Sequence, residues 1–171
     1  MEIILAENHG FCYGVKRAVE MANEAADGKG KSYTLGPIIH NPQVVGRLES
    51  KGVSPIQEVA DIDEGTMIIR SHGVGPAIYA EAEEKGLHIL DATCPHVKKA
   101  QQDAKSVIED GMTLVILGEK NHPEVKSINL WANNKGIIIE DEESAQKLQI
   151  VEKMGVVVQT TFSQFKFNSI I

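Results

Sequence analysis

Short apolar runs alternate with stretches of helical spacing along nearly the whole chain, and this alternation constrains the fold more than any other feature. Residues 2–6, 32–35, 66–70, 87–91, 113–117, 136–140 and 155–159 read as strands. Between them, Val15, Ala18, Val19, Ala22 and Ala25 recur at helical spacing over residues 14–26. Val44, Val45 and Leu48 open a second helix that Gly52 ends. Further helices are predicted up to Gly86, over 95–110, up to Ala132 and over 142–148. Strands followed by helices imply right-handed crossovers and parallel sheets. The expected fold is therefore α/β: two similar units, with residues 1–96 carrying both cysteines and residues 97–163 forming the second. Ser163 reads as the N-cap of a helix over 164–171, whose apolar Ile170-Ile171 ending is expected of a chain that belongs to something longer.

In parallel α/β sheets ligands bind beyond the carboxyl ends of the strands. Those ends here carry Cys12, His40, His72, Cys94, His122 with Glu124, and Thr160 with Thr161 and Ser163. Pro95 suits the first turn of a helix, which puts Cys94 at its N-cap. Free backbone N–H groups at that end favour thiolate, the form that binds metal or attacks. Cys12, in Gly10-Phe11-Cys12-Tyr13-Gly14, sits in the same kind of turn. Taken singly, each residue has a plain structural explanation: buried inert thiols, turn histidines, an acidic first-turn Glu124. Together they suggest one cleft with soft metal ligands and donors for an anion. His9, His88 and His96 have no comparable setting.

Composition narrows the functions. A net charge of −7 argues against non-specific nucleic-acid binding. No run approaches the apolar length of a membrane span, and no secretory leader is recognisable. Two cysteines suit a reducing compartment, so a cytoplasmic protein is expected. Walker A, GxGxxG, HExxH and GxSxG patterns are missing, and the Cys/His spacings match no common zinc module.

The motifs Gly10-Phe11-Cys12-x-Gly14-Val15, His40-Asn41, Ser71-His72-Gly73-Val74, Asp91-Ala92-Thr93-Cys94-Pro95, His122-Pro123-Glu124-Val125 and Gln159-Thr160-Thr161-x-Ser163 occur in that order. The ordered set resembles the 4-hydroxy-3-methylbut-2-enyl diphosphate reductase family (IspH/LytB), which ends the non-mevalonate (MEP) route to isoprenoids. The resemblance implies a pseudo-threefold fold of three α/β units, of which this chain holds two. Residues 164–171 would lead toward the third. It also implies a 4Fe–4S cluster on three cysteines, with Cys12 and Cys94 as two of them and the third outside this sequence. It further implies that His40, His72, His122 and Thr160 contact an allylic diphosphate. Glu124, His122 and Thr160 would handle protons, and ferredoxin or flavodoxin would supply electrons. Two alternatives differ in class: a non-catalytic anion-binding module with inert thiols, and a redox thiol pair.

Overall fold

A computed structural model of the chain describes residues 2–7, 9–28, 30–149 and 152–171. The first sheet is built from β1 (Ser32–Leu35), β2 (Val53–Ile56), β3 (Thr66–Ile69) and β4 (His88–Asp91). Its order is β2-β1-β3-β4 and every pairing is parallel. The helices of this region are α1 (Tyr13–Asp27), α2 (Pro42–Ser50) and α3 (Pro76–Glu84). The second sheet, in order β6-β5-β7, joins β5 (Thr113–Leu117), β6 (Ile137–Ile139) and β7 (Met154–Val158), again all parallel. Around it lie α4 (Pro95–Glu109), α5 (Pro123–Trp131), α6 (Glu142–Gln146) and α7 (Gln164–Ile170).

Apolar side chains pack on both faces of each sheet, though on the second sheet Ile137 and Val156 stay partly exposed. On the first sheet the pleat divides β3: Ile68 packs with Ala18, Ala22, Val44 and Leu48 of α1 and α2. Met67 and Ile69 face the other way, onto Val59, Ile62 and Ala82. The small Ala18 and Ala22, both fully buried, let α1 lie close on the sheet. In the second region Ala100, Ala104, Val125 and Ile128 of α4 and α5 meet Leu114, Ile116 and Val157. Phe162, Phe167 and Ile170 are half-buried against the opposite face, on Val115, Leu117 and Ile139. Ser163 caps α7 by accepting from the Lys166 N–H.

Two strand expectations need correction. Residues 2–6 form no strand: they are exposed, with Ile4 83% accessible, and pair with neither edge of the first sheet. An apolar run supplies the propensity for a strand but not the neighbour whose edge it must join. The second correction is β2, which the periodicity does not reveal. It is four residues long and contains Pro55, which a sheet tolerates because β2 is an edge strand with one partner, β1. Among the described residues no helix is long and apolar enough to cross a membrane.

Candidate functional site

Each parallel strand delivers the chain at the same edge of its sheet, so the helix N-termini that follow gather there. Cys12 is the N-cap of α1 and Cys94 the N-cap of α4, and neither side chain makes a capping hydrogen bond. Both thiols are free. Gly14, in the first turn of α1 that Cys12 caps, lies so near Cys94 that a Cβ on it would come within 2.5 Å of the Cys94 Sγ. Arg17 ties α1 to this end of the first sheet by donating to the carbonyls of Thr93 and Asp91 at 3.2 and 3.3 Å. The Cys94 N–H donates to the Ser71 carbonyl at 2.9 Å, joining the turns after β3 and β4. Asp91 is held below the usual carboxylate range; burial opposes this, but hydrogen bonds from Lys98 and Thr93 outweigh it.

Three histidines converge from three turns. His40 precedes Asn41, whose side chain caps α2 from the Val44 N–H at 3.0 Å. His72 follows β3, and His122 is the N-cap of α5. The ring centroids lie 4.6 Å (His40–His72), 5.5 Å (His72–His122) and 6.2 Å (His40–His122) apart. One nitrogen from each ring falls within 4.8 Å of the others, a spacing that also suits a metal ion. His122 Nδ1 accepts the Glu124 N–H at 3.2 Å, so its neutral ring carries the proton on Nε2. His72 is pushed down to about 4 by burial first, then by His40, Arg70 and His122. Its Nδ1 is buried without a partner. Three imidazoles this close repel one another when protonated; a polyanion between them reverses that balance.

Glu124 stands in the first turn of α5 and is 2% exposed. Its Oε1 accepts the Thr160 N–H at 2.5 Å and its Oε2 accepts the Thr160 hydroxyl at 2.9 Å. Thr160 itself is exposed, so the pair connects a buried carboxyl to the surface of the cleft. Gln159 fixes the turn after β7: its Oε1 accepts the Glu119 N–H at 2.9 Å and its Nε2 donates to Thr161 at 2.8 Å.

Residues that the motif reading passes over hold these turns together. The Ser127 hydroxyl bridges the His72 and Glu124 carbonyls at 2.9 and 3.0 Å. Gln101, 3% exposed, donates to the same hydroxyl at 3.1 Å. Gly73, at φ +72°, packs on the Gln101 amide where a Cβ has no room. Ser127 and Gln101 lie inside helices α5 and α4, where only tertiary packing reveals a polar role; Gly73 beside His72 is the one cue in the sequence. His9 bonds the Ala6 carbonyl at 2.7 Å, while His88 and His96 are exposed and stand apart from the cluster.

Fold and site together define a parallel α/β protein with imidazoles and the Cys94 thiol gathered at the carboxyl ends of its strands, and Cys12 at the start of the helix that packs there. The family model for the LytB protein matches residues 3–171, and the chain belongs to that family. It is 48% identical, over all of its 171 residues, to a 4-hydroxy-3-methylbut-2-enyl diphosphate reductase of Geotalea uraniireducens, covering 61% of that protein. The reductase of the same name from Geobacter metallireducens is 50% identical over 163 residues, 58% of its length. The chain thus spans about three-fifths of the curated relatives it matches. Among solved structures, an (E)-4-hydroxy-3-methyl-but-2-enyl diphosphate reductase aligns with a TM-score of 0.86 at 44% identity, over 99% of this chain and 62% of that one. The E-1-hydroxy-2-methyl-but-2-enyl-4-diphosphate reductase of Plasmodium falciparum aligns with a TM-score of 0.91 at 32% identity, over 96% of this chain and 53% of the other.

Proposed function

We propose that this chain supplies the proton-handling, diphosphate-binding and part of the cluster-binding machinery of a 4-hydroxy-3-methylbut-2-enyl diphosphate reductase. Residues 1–96 and 97–163 act as two units of a three-unit fold, with 164–171 leading to the third. In the reaction the allylic C–O bond breaks, two electrons and two protons enter, and one water leaves. The products are isopentenyl and dimethylallyl diphosphate. The observation that carries this reading is the connected set His72–Ser127–Glu124–Thr160, with His122 bonded to the Glu124 N–H, at the same sheet edges as both thiols.

The residues fit a 4Fe–4S cluster in part. Cys12 and Cys94 cap two helices without spending their sulfurs on the caps, and Gly14 leaves space beside the Cys94 sulfur. When bound, the cluster supplies the electrons and a Lewis-acidic iron for the substrate hydroxyl. Two thiolates leave its remaining coordination to ligands outside residues 1–171. His40, His72 and His122 hold the diphosphate by N–H donors. Glu124 delivers the protons through the Thr160 hydroxyl, which also orients the substrate oxygen, and His122 keeps the carboxyl's backbone in place. Ferredoxin or flavodoxin in the cytoplasm is the proposed electron source.

The test is calorimetric titration with inorganic pyrophosphate alongside iron counting after anaerobic reconstitution. Replacing all three histidines by Gln is expected to abolish pyrophosphate binding and leave iron uptake in place. Cys12→Ala with Cys94→Ala should do the reverse. Pyrophosphate binding that ignores the histidines overturns the reading, and iron uptake that ignores both cysteines does the same.

A further inference from the structure

Arg70 directly follows β3, and among the described residues it takes part in no ion pair. Its Nε is buried without a hydrogen-bond partner, and burial lowers its affinity for its proton. Gly36, at φ +70°, lies against the guanidinium, where a Cβ would come within 2.8 Å of Nη1. The group faces a cavity of about 300 Å³ between the carboxyl ends of β1 and β3 and the side of α5. Lys126 also lines it, and no carboxylate and none of the three clustered histidines does. Val74, Ile78 and Leu130 give it an apolar part, beside the polar Gln57 and Ser127. In an acidic chain, a half-buried cation left without an acceptor is an unfavourable arrangement that a bound anion relieves.

We infer that this cavity is a binding site for a small organic oxyanion, its phosphate or carboxylate on Arg70 and Lys126 and a short apolar tail against Val74, Ile78 and Leu130. The cavity adjoins the histidine cluster, sharing Ser127 with it and with Arg70 acting on His72, but no imidazole lines it, and the inference does not rest on the reductase reading. The guanidinium presents paired N–H donors to an oxyanion, and the ammonium adds a second point charge. The cavity is at the small end of ligand sites, which limits the tail to a few carbons.

The probes are inorganic phosphate, isopentyl phosphate and isopentanol, titrated calorimetrically at pH 7. Each is measured on the wild-type chain and on a background of His40→Gln with His72→Gln, which removes the neighbouring cluster. Isopentyl phosphate is expected to bind that background about tenfold more tightly than phosphate, and isopentanol not measurably. Arg70→Gln should weaken isopentyl phosphate by about tenfold or more, Arg70→Lys by less, and Lys126→Gln by a few-fold. Lys126 is exposed, so its variant tests the site even where an Arg70 variant unfolds. Loss of all binding in the histidine background overturns the inference, because the oxyanion then belongs to the imidazoles. Affinity unchanged in both Arg70→Gln and Lys126→Gln overturns it as well.

Discussion

The carboxyl and imidazole side of the cleft and its thiol side are built to different standards. On the first, the carboxyl and the turns are tied down while His72 Nδ1 stays unpartnered: Glu124 is buried under two bonds from Thr160, and Ser127 and Gln101 lock the turns bearing His72 and Glu124. On the second, Cys12 is exposed, follows an exposed segment with no regular structure, and is steadied by what α1 can reach: Gly14 against Cys94 and Arg17 on two carbonyls. The contrast teaches that the residues proposed to handle protons and the anion are held by contacts within this chain, whereas the proposed metal ligands are pinned at one helix end and open elsewhere. Preformed hydrogen-bond donors and a fixed acid need no reorganisation when substrate arrives, whereas metal ligands are routinely ordered by the metal itself.

The largest expected effect is on the fixed half. In any preparation that turns over, Glu124→Gln should lower kcat on the order of 10²–10⁴. Pyrophosphate affinity, measured by calorimetry, should stay within a few-fold, because the imidazoles are untouched. A loss of pyrophosphate affinity equal to the loss of rate would erase the distinction between the acid and the anion site.

Gly14→Ala should strike the open half alone. The added Cβ meets the Cys94 Sγ, so iron retained after reconstitution should fall several-fold while pyrophosphate titrates as before. The effect is smaller in free energy than removing a buried bridge. Ser127→Ala leaves the Gln101 amide and the His72 carbonyl without their shared partner. We expect a loss of about 1–3 kcal/mol, read as a shift in the urea midpoint. An unchanged midpoint would mean the two turns are held by packing alone.

A pH profile sharpens the comparison further. His72, lowered by burial and by His40, Arg70 and His122 to about 4, binds fewer protons folded than unfolded. Its contribution to stability is therefore complete above the unfolded value near 6.5 and is lost as the pH falls through about 4. Ring NMR should place its free titration there, and bound pyrophosphate should raise it.

How far the sequence anticipates this molecule varies by element. β5 follows from an apolar run closed by Gly118, β1 from the β-forming Tyr33-Thr34-Leu35 closed by Gly36, and α1 from its alanine and valine spacing. β2 escapes because a four-residue edge strand containing Pro55 has no periodicity to read. Residues 2–6 mislead because apolar composition carries no information about which edge is free. In the site, His40, His72, Cys94, His122 and Thr160 stand out by their turns, since strand ends in a parallel sheet face one way; Cys12 stands out by its glycine-flanked turn alone, because residues 2–6 form no strand. Ser127, Gln101 and Arg17 do not, because each lies within a helix and finds its partner across the fold. Arg70 is equally silent: its want of a counter-ion is a property of packing.

The central claim is that Cys12 and Cys94 share one metal site beside an independently formed anion site. The most direct measurement is anaerobic iron–sulfide reconstitution with a small thiol added as external ligand, followed by iron and sulfide counting and Mössbauer spectroscopy. The wild-type chain and the Cys94→Ala variant are compared. The account predicts a cubane cluster in the wild type that Cys94→Ala fails to retain, with pyrophosphate binding equal in both. Equal iron in both proteins, held at the histidines, would contradict it.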